Sequence, residues 1–165
     1  MKILSLDQST VSTGFAVFVD GKLMNYGLLT QKRTKNTNTI DRMANMIDNI
    51  DSVIQKENPD YVVIEDVQWQ GMIKIFKTLA RFQGTIIGYF ILKSIPFLII
   101  EPSSWKSFCG IKGKGRKEQK ENTKNYIKKE YGVDVSEDVA DSICIGICAS
   151  SYLKENADGK ENYTK

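Results

Sequence analysis

Three groups of acids in this 165-residue chain stand where carboxylates can work together. Asp7 closes one short apolar run and Glu65-Asp66 close another. Glu137, Asp138 and Asp141 open an apolar segment that continues through Ile143, Cys144, Ile145, Ile147, Cys148 and Ala149. There is no histidine. Mechanisms that need an imidazole, such as Ser-His-Asp or Cys-His nucleophiles and HExxH zinc sites, are therefore excluded. Converging carboxylates repel one another unless a divalent cation offsets them, and hard oxygen ligands select Mg²⁺ or Mn²⁺. Within each group the choice stays open. Glu65 and Asp66 point to opposite faces of a strand, so only one can meet Asp7. Asp138 with Asp141, or Glu137 with Asp141, can share a helix face. Singly, such acids also suit a solvated strand end or the dipole of a helix start.

Cations gather as well. From Lys106 to Lys129, nine Lys/Arg stand against two acids, a local charge of +7 in a chain whose net charge is +3. Gly110, Gly113 and Gly115 interrupt the first half of this stretch. That composition predicts a flexible basic loop carrying Lys112, Lys114 and Arg116, leading into a helix over 117–131 that carries Lys117 and Lys120. Glycine-rich and basic together suit a loop that follows a phosphate backbone. Lys74, Lys77 and Arg81, at i, i+3 and i+7, make a second stripe that is either a DNA contact or a solvated helix face. Two metal ions about 3.5–4 Å apart, held by carboxylates, activate water on one side of a phosphodiester and stabilise the leaving 3′ oxygen on the other.

To bring these groups together the chain must build a sheet and set helices on it. Residues 3–7, 14–19 and 23–30 read as strands, the last two joined at Asp20-Gly21, a hairpin signal. Ile40, Met43, Ala44, Ile47, Ile50 and Ile54 recur at helical spacing over 39–57, and Asn58-Pro59 stops that helix before a strand at 61–66. A long helix over 72–93 and a fifth strand at 97–101 follow. Strands separated by helices pair in parallel through right-handed crossovers, so the later strands should extend the sheet on the side of strand one. The fold class is thus α/β, a five-stranded mixed sheet of an antiparallel meander plus parallel strands, flanked by helices. A final helix starts near Ser136. Residues 1–153 make one domain, and residues 154–165 a polar tail.

With 41% hydrophobic and 26% charged residues the chain can bury a core, which excludes a disordered protein. Cys109, Cys144 and Cys148 are odd in number, and two lie one helical turn apart in an apolar segment, the pattern of reduced core thiols. No run reaches the ~18 apolar residues of a membrane span, and Asp7 stands where a signal peptide needs apolar residues. A cytoplasmic location is expected, with no membrane partner.

Taken together, Ile3-Leu4-Ser5-Leu6-Asp7-Gln8-Ser9 with Gly14, Val63-Ile64-Glu65-Asp66-Val67, Pro102-Ser103-Ser104-Trp105-Lys106, Lys120-Glu121-Asn122-Thr123 and Glu137-Asp138-Val139-Ala140-Asp141-Ser142 resemble, in order and spacing, a RuvC-type Holliday-junction resolvase. The resemblance covers nearly the whole chain. Its short length and many lysines look like a phage member, acting in a bacterial host. The resemblance implies a ribonuclease-H-like fold, a homodimer, and Mg²⁺-dependent cleavage of four-way DNA junctions. Asp7, Glu65, Asp138 and Asp141 would then hold the metal, and Lys106 and Lys120 would contact the backbone near the scissile phosphate. Where the family often has an apolar wedge after the catalytic Glu, this chain reads Val67-Gln68-Trp69-Gln70, which makes Trp69 the residue to stack on an unpaired base. The helix over 72–93, with Ile73, Phe76, Leu79, Ala80, Gln83 and Ile87, is the candidate dimer interface.

Two other readings compete. Asp7-Gln8-Ser9-Thr10 followed by Gly14 resembles the phosphate turn of ATP-binding domains of the sugar-kinase type, which share this topology. One such domain would lack a second lobe, and the reading leaves Asp138, Asp141 and the basic loop unexplained, so no nucleotide cofactor is expected. A junction-binding protein without cleavage is the other. A pure binder gains nothing from gathering negative charge beside phosphates.

Overall fold

The computed structural model describes residues 1–31, 37–69 and 71–156. The chain opens with β1 (Lys2–Asp7), β2 (Ser12–Val19) and β3 (Lys22–Thr30). Asp20 and Gly21, at φ 50° and 80°, supply the left-handed pair that the β2–β3 turn requires. Next comes α1 (Thr39–Glu57), started by a capping box in which Asn38 accepts from the Ile40 and Asp41 amides and the Asp41 carboxylate accepts from the Asn38 amide. Asn58, at φ 45°, ends it. The remaining elements are β4 (Tyr61–Glu65), α2 (Ile73–Leu92), β5 (Phe97–Ile100), α3 (Pro102–Phe108), α4 (Arg116–Tyr131) and α5 (Glu137–Asn156).

The sheet order is β3-β2-β1-β4-β5. Antiparallel pairing joins β1 to β2 and β2 to β3, and parallel pairing joins β1 to β4 and β4 to β5, so the later strands do extend the sheet beside β1. Alternation along the strands fills two cores. Leu4, Leu6, Val17, Val62 and Ile64 pack under α1 and α2 against Met46, Ile50, Phe82, Ile86 and Phe90. On the other face Ile3, Ala16, Phe18 and Val63 pack against Trp105, Ile127, Ile143 and Ala149 of α3, α4 and α5. Burial of each such Leu, Ile or Phe contributes about 1.5–3 kcal/mol. Cys109 and Cys144 are buried, Cys148 is half-buried, and all three are free. No helix among the described residues is long and apolar enough to cross a membrane.

The structure departs from expectation in three places. Helix α3 is absent from the sequence reading, because seven residues offer no periodic apolar stripe. Pro102 at its first turn starts it and the burial of Trp105 fixes it. Of the series proposed as an interface on α2, Gln83 turns inward beside Phe82, Ile86 and Phe90, because this side of the helix lies on the sheet. The face left outward keeps Ile73 of that series and carries Lys77, Arg81, Gly84 and Ile91 beside it. Finally α5 runs on to Asn156, three residues into the segment read as a tail, and residues 157–165 lie outside the described residues.

Candidate active site

The β1–β4 register pairs Leu6 with Ile64 and brings Asp7 and Glu65 out side by side at the carboxyl ends of parallel neighbours. Because Ile3 and Val63 face α5 while Leu6 and Ile64 face α1 and α2, Asp7 and Glu65 also face α5. Asp66 goes the other way. Its Oδ1 accepts from Gln83 Nε2 of α2 at 3.1 Å and from the Val67 amide at 2.9 Å. Strand alternation thus settles which of the two acids meets Asp7.

The third group arrives with α5. Gly14 of β2 makes the approach possible, since a Cβ there would lie 1.9 Å from the Asp138 carbonyl oxygen. The Ser12 hydroxyl donates to Asp138 Oδ2 at 2.7 Å, and the Ser5 hydroxyl donates to the Ser142 carbonyl oxygen at 2.7 Å. These bonds seat the first turns of α5 against the strand ends. Asp138 and Asp141 line the cleft with Asp7 and Glu65, and Asp66 lines it too, with its carboxylate bonded to Gln83. Glu137 does not line it, yet it is not turned away either: its Oε2 lies 2.9 Å from Lys120 Nζ, which reaches across from α4.

Crowding leaves an electrostatic signature. Burial, reinforced by the charges of Glu65, Asp141 and Asp138, pushes the Asp7 carboxyl well above its usual range. Burial also lifts Asp141 to about 6, with Lys120 opposing and Glu65 adding to the rise. Glu65 is raised by burial against the pull of the Trp105 hydrogen bond and of Lys106, Arg116 and Lys120. Burial alone would lower the Lys120 ammonium, but Glu137, Asp141 and Asp7 outweigh it and raise it. Lys120 Nζ stands 3.8 Å from Asp138 and 3.9 Å from Asp141. Hard oxygen donors that repel one another around a shared cleft are the right donor set for a divalent cation. Among the described residues no three of them already converge on one point, so the fit rests on donor chemistry and crowding.

The cleft encloses about 330 Å³. Lys106, Arg116 and Lys120 line its charged side, and Met72, Ile75, Phe76 and Leu79 form an apolar wall. Lys106 is half-buried, its ammonium 5.2 Å from the centre of the Trp105 ring. Lys112, Lys114 and Lys117 are exposed and outside the lining, so of the two lysines early in α4 only Lys120 enters the cleft. Lys74, Lys77 and Arg81 are exposed on α2, also outside it. Trp69 is 56% exposed and packs edge-on against Phe76 at 5.6 Å. Gln70 lies outside the described residues.

Several residues of the site carry no role in the sequence reading. Gln8 clamps the Glu65 backbone on both sides, donating to its carbonyl oxygen at 2.5 Å and accepting from its amide at 3.2 Å. Trp105 Nε1 donates to Glu65 Oε1 at 2.8 Å. A signal existed for Trp105, since a core tryptophan must find an acceptor for its N–H, but without α3 its direction was unknown. Ser12 lies before the expected start of β2, which hid it.

A mixed five-stranded sheet with acids at the adjacent ends of its two central parallel strands, faced by a helix that opens with two more, defines a ribonuclease-H-like fold. Residues 3–149 match the family model of crossover junction endodeoxyribonuclease RuvC. The chain belongs to that family, whose catalysis depends on divalent metal. It is 28% identical over 160 residues to the crossover junction endodeoxyribonuclease RuvC of Dictyoglomus thermophilum, covering 94% of this chain and 98% of that one. To the Fusobacterium nucleatum protein of the same name it is 25% identical over 154 residues, 89% of this chain and 78% of the other. Among solved structures it is similar to T. thermophilus RuvC in complex with a Holliday junction substrate, with a TM-score of 0.74, 13% identity, and 94% and 96% of the two chains covered. The fowlpox virus resolvase bound to Holliday junction DNA gives 0.60, 19% identity, and 93% and 99% coverage. At these identities the structures establish the fold. The sugar-kinase domain shares that fold, so family membership is what separates the two readings.

Proposed function

We propose that this chain resolves four-way DNA junctions by paired nicks, as a homodimer with a divalent metal held in each protomer by Asp7, Glu65, Asp138 and Asp141. The reading places it in DNA recombination and repair, in the cytoplasm. The observation that carries it is the gathering of these four carboxylates with Lys106, Arg116 and Lys120 around one cleft. When bound, the metal, two Mg²⁺ ions per site with Mn²⁺ as a substitute, activates water and offsets charge on the departing oxygen.

The chain's own groups bind and orient the DNA. Lys106 and Lys120 contact the backbone around the scissile phosphate. Lys112, Lys114, Arg116 and Lys117 extend the track along one arm, and Lys74, Lys77 and Arg81 along another, each contact releasing counterions from the duplex. Trp69, exposed and packed edge-on against Phe76 of the cleft wall, stacks on a base that the crossover leaves unpaired. One protomer offers one site and resolution needs two cuts, so a two-fold dimer matches the two-fold substrate. Helix α2 is the candidate contact, through apolar residues that stay exposed such as Ile91 at 63% near its C-terminal end. A protein that bound junctions without cutting would meet only repulsion from this many carboxylates.

The test is incubation of the purified protein with labelled four-way, three-way and linear DNA, with Mg²⁺ and with EDTA. Symmetric nicks in the four-way junction, in Mg²⁺ alone, are expected. Tight binding with intact strands in Mg²⁺ and Mn²⁺ overturns the reading in favour of a binder.

A further inference from the structure

The carboxylate end of Glu65 is held by a residue to which nothing so far gives a part in the reaction. Trp105 is 1% exposed, seated in the core that α3 shares with α5, against the helix that carries Asp138 and Asp141. An indole N–H is a donor with no acceptor capacity, and buried it must be paired. Here it is paired with Glu65 Oε1, at 2.8 Å, rather than with a backbone carbonyl. The face of the same ring carries the Lys106 ammonium at 5.2 Å. Gln8 fixes the Glu65 backbone, so Trp105 supplies what the backbone clamp cannot, the direction of the carboxylate.

We propose that Trp105 is a positioning residue for the cleavage reaction: its N–H occupies Glu65 Oε1 and leaves Oε2 as the metal's ligand, while its ring seats Lys106 beside it. This rests on Glu65 being a metal ligand. A donor behind a ligating carboxylate fixes its orientation before the metal arrives, and loss of such a partner typically costs about 10–100-fold in metal affinity or activity. Phenylalanine at 105 keeps a ring under Lys106 and loses the N–H. A benzothienyl analogue keeps the whole shape of tryptophan and loses only the N–H, so it tests the same bond even where Trp105→Phe loosens the core.

The chain has two tryptophans, so in a Trp69→Phe background Trp105 is the sole indole fluorophore. Titrating that protein with Mg²⁺, without DNA, should change its emission along a saturable curve, and Glu65→Gln should abolish the change. By calorimetry the benzothienyl protein should bind Mg²⁺ about 10–100-fold more weakly than its parent. The Mg²⁺ needed for half-maximal cleavage should rise by the same factor, while junction affinity in EDTA stays unchanged. Unaltered Mg²⁺ affinity in the benzothienyl protein, or silent Trp105 emission while calorimetry records Mg²⁺ binding, overturns the positioning role and leaves the metal site standing. Wild-type Mg²⁺ binding by Glu65→Gln removes the metal-site reading, and this inference with it.

Discussion

Gly14→Ala is the substitution that separates packing from chemistry. The added Cβ would stand 1.9 Å from the Asp138 carbonyl oxygen, 2.3 Å from its carbon and 2.8 Å from the Val139 nitrogen, all backbone atoms that cannot rotate aside. An ordinary carbon–oxygen contact needs the first turn of α5 to retreat by about 1.4 Å. That movement takes Asp138 away from the Ser12 hydroxyl and the opposing acids. Overpacking of this kind costs typically about 1–3 kcal/mol, whereas a misplacement of about 1 Å at a reacting centre costs on the order of 10²-fold in rate. Gly146→Ala is the comparison. It lies eight residues beyond Asp138 on α5, and its Cβ would meet the buried Phe18 ring at 2.3 Å and the Ser5 hydroxyl at 2.6 Å, side chains of the sheet rather than the backbone that carries Asp138. Urea unfolding and single-turnover junction cleavage, measured on both variants, give the answer. We expect similar losses of stability and at least a tenfold greater loss of rate for Gly14→Ala. Rates that fall in step with stability in both variants would refute the claim that Gly14 sets the position of Asp138.

Asp7→Asn, Glu65→Gln, Asp138→Asn and Asp141→Asn should each abolish metal-dependent cleavage, while junction binding in EDTA, followed by gel shift, survives or tightens as one repulsive charge is removed. Asp66→Asn should still cut, because its carboxylate is turned onto Gln83. In metal-free protein Asp141 resists ionisation until about pH 6 against an ordinary 3.8, so its contribution is neutral below about pH 4, grows unfavourable up to about pH 6 and levels off above it. Asp141→Asn should therefore raise metal-free stability at pH 7 by up to about 3 kcal/mol and leave it unchanged near pH 4, a difference read from urea midpoints. Trp69→Ala should leave the fold and linear-duplex affinity intact but weaken junction binding by about 1–3 kcal/mol, whereas Lys117→Ala should weaken both DNAs alike and reduce the salt slope by about one.

What the sequence discloses is whatever has a short period or a local turn. The Asp20-Gly21 hairpin, the Asn58 stop and the alternation of Leu4, Leu6, Val62 and Ile64 are decided by neighbours within a few residues, and the structure keeps all of them. Alternation even holds the answer to Glu65 against Asp66, but only once the side covered by α5 is known. What stays hidden depends on reach across the fold. Helix α3 is too short to show a period, so neither the direction of Trp105 nor its bond to Glu65 is legible. Glu137 lies about 100° around the helix from Asp138 and outside the cleft. It is engaged because the long Lys120 side chain spans from α4 to meet it at 2.9 Å. On α2 the spacing of apolar residues shows that a stripe exists, and the sheet decides which stripe is inward.

The same long-range packing explains how a chain without histidine holds a site that opposes its own folding. Four acids facing one cleft are unfavourable to bring together, as the raised Asp7, Glu65 and Asp141 carboxyls show. Their own hydrogen bonds, from Trp105 to Glu65 and from Ser12 to Asp138, do not offset the whole of that cost. The body of α5 does, through Val139, Ile143, Cys144, Ile145 and Ala149 buried against β1 and β2, with Gly14 and Gly146 each removing a side chain that would keep the helix off the strands. The apolar run after Asp141 is therefore the part of the sequence that forces the carboxylates together. Lys120 meets part of their charge in the metal-free protein while bonded chiefly to Glu137, an acid outside the cleft. An arriving cation can then take over the cleft carboxylates without stripping Lys120 of its closest partner, and the ammonium stays at the rim where a phosphate must pass.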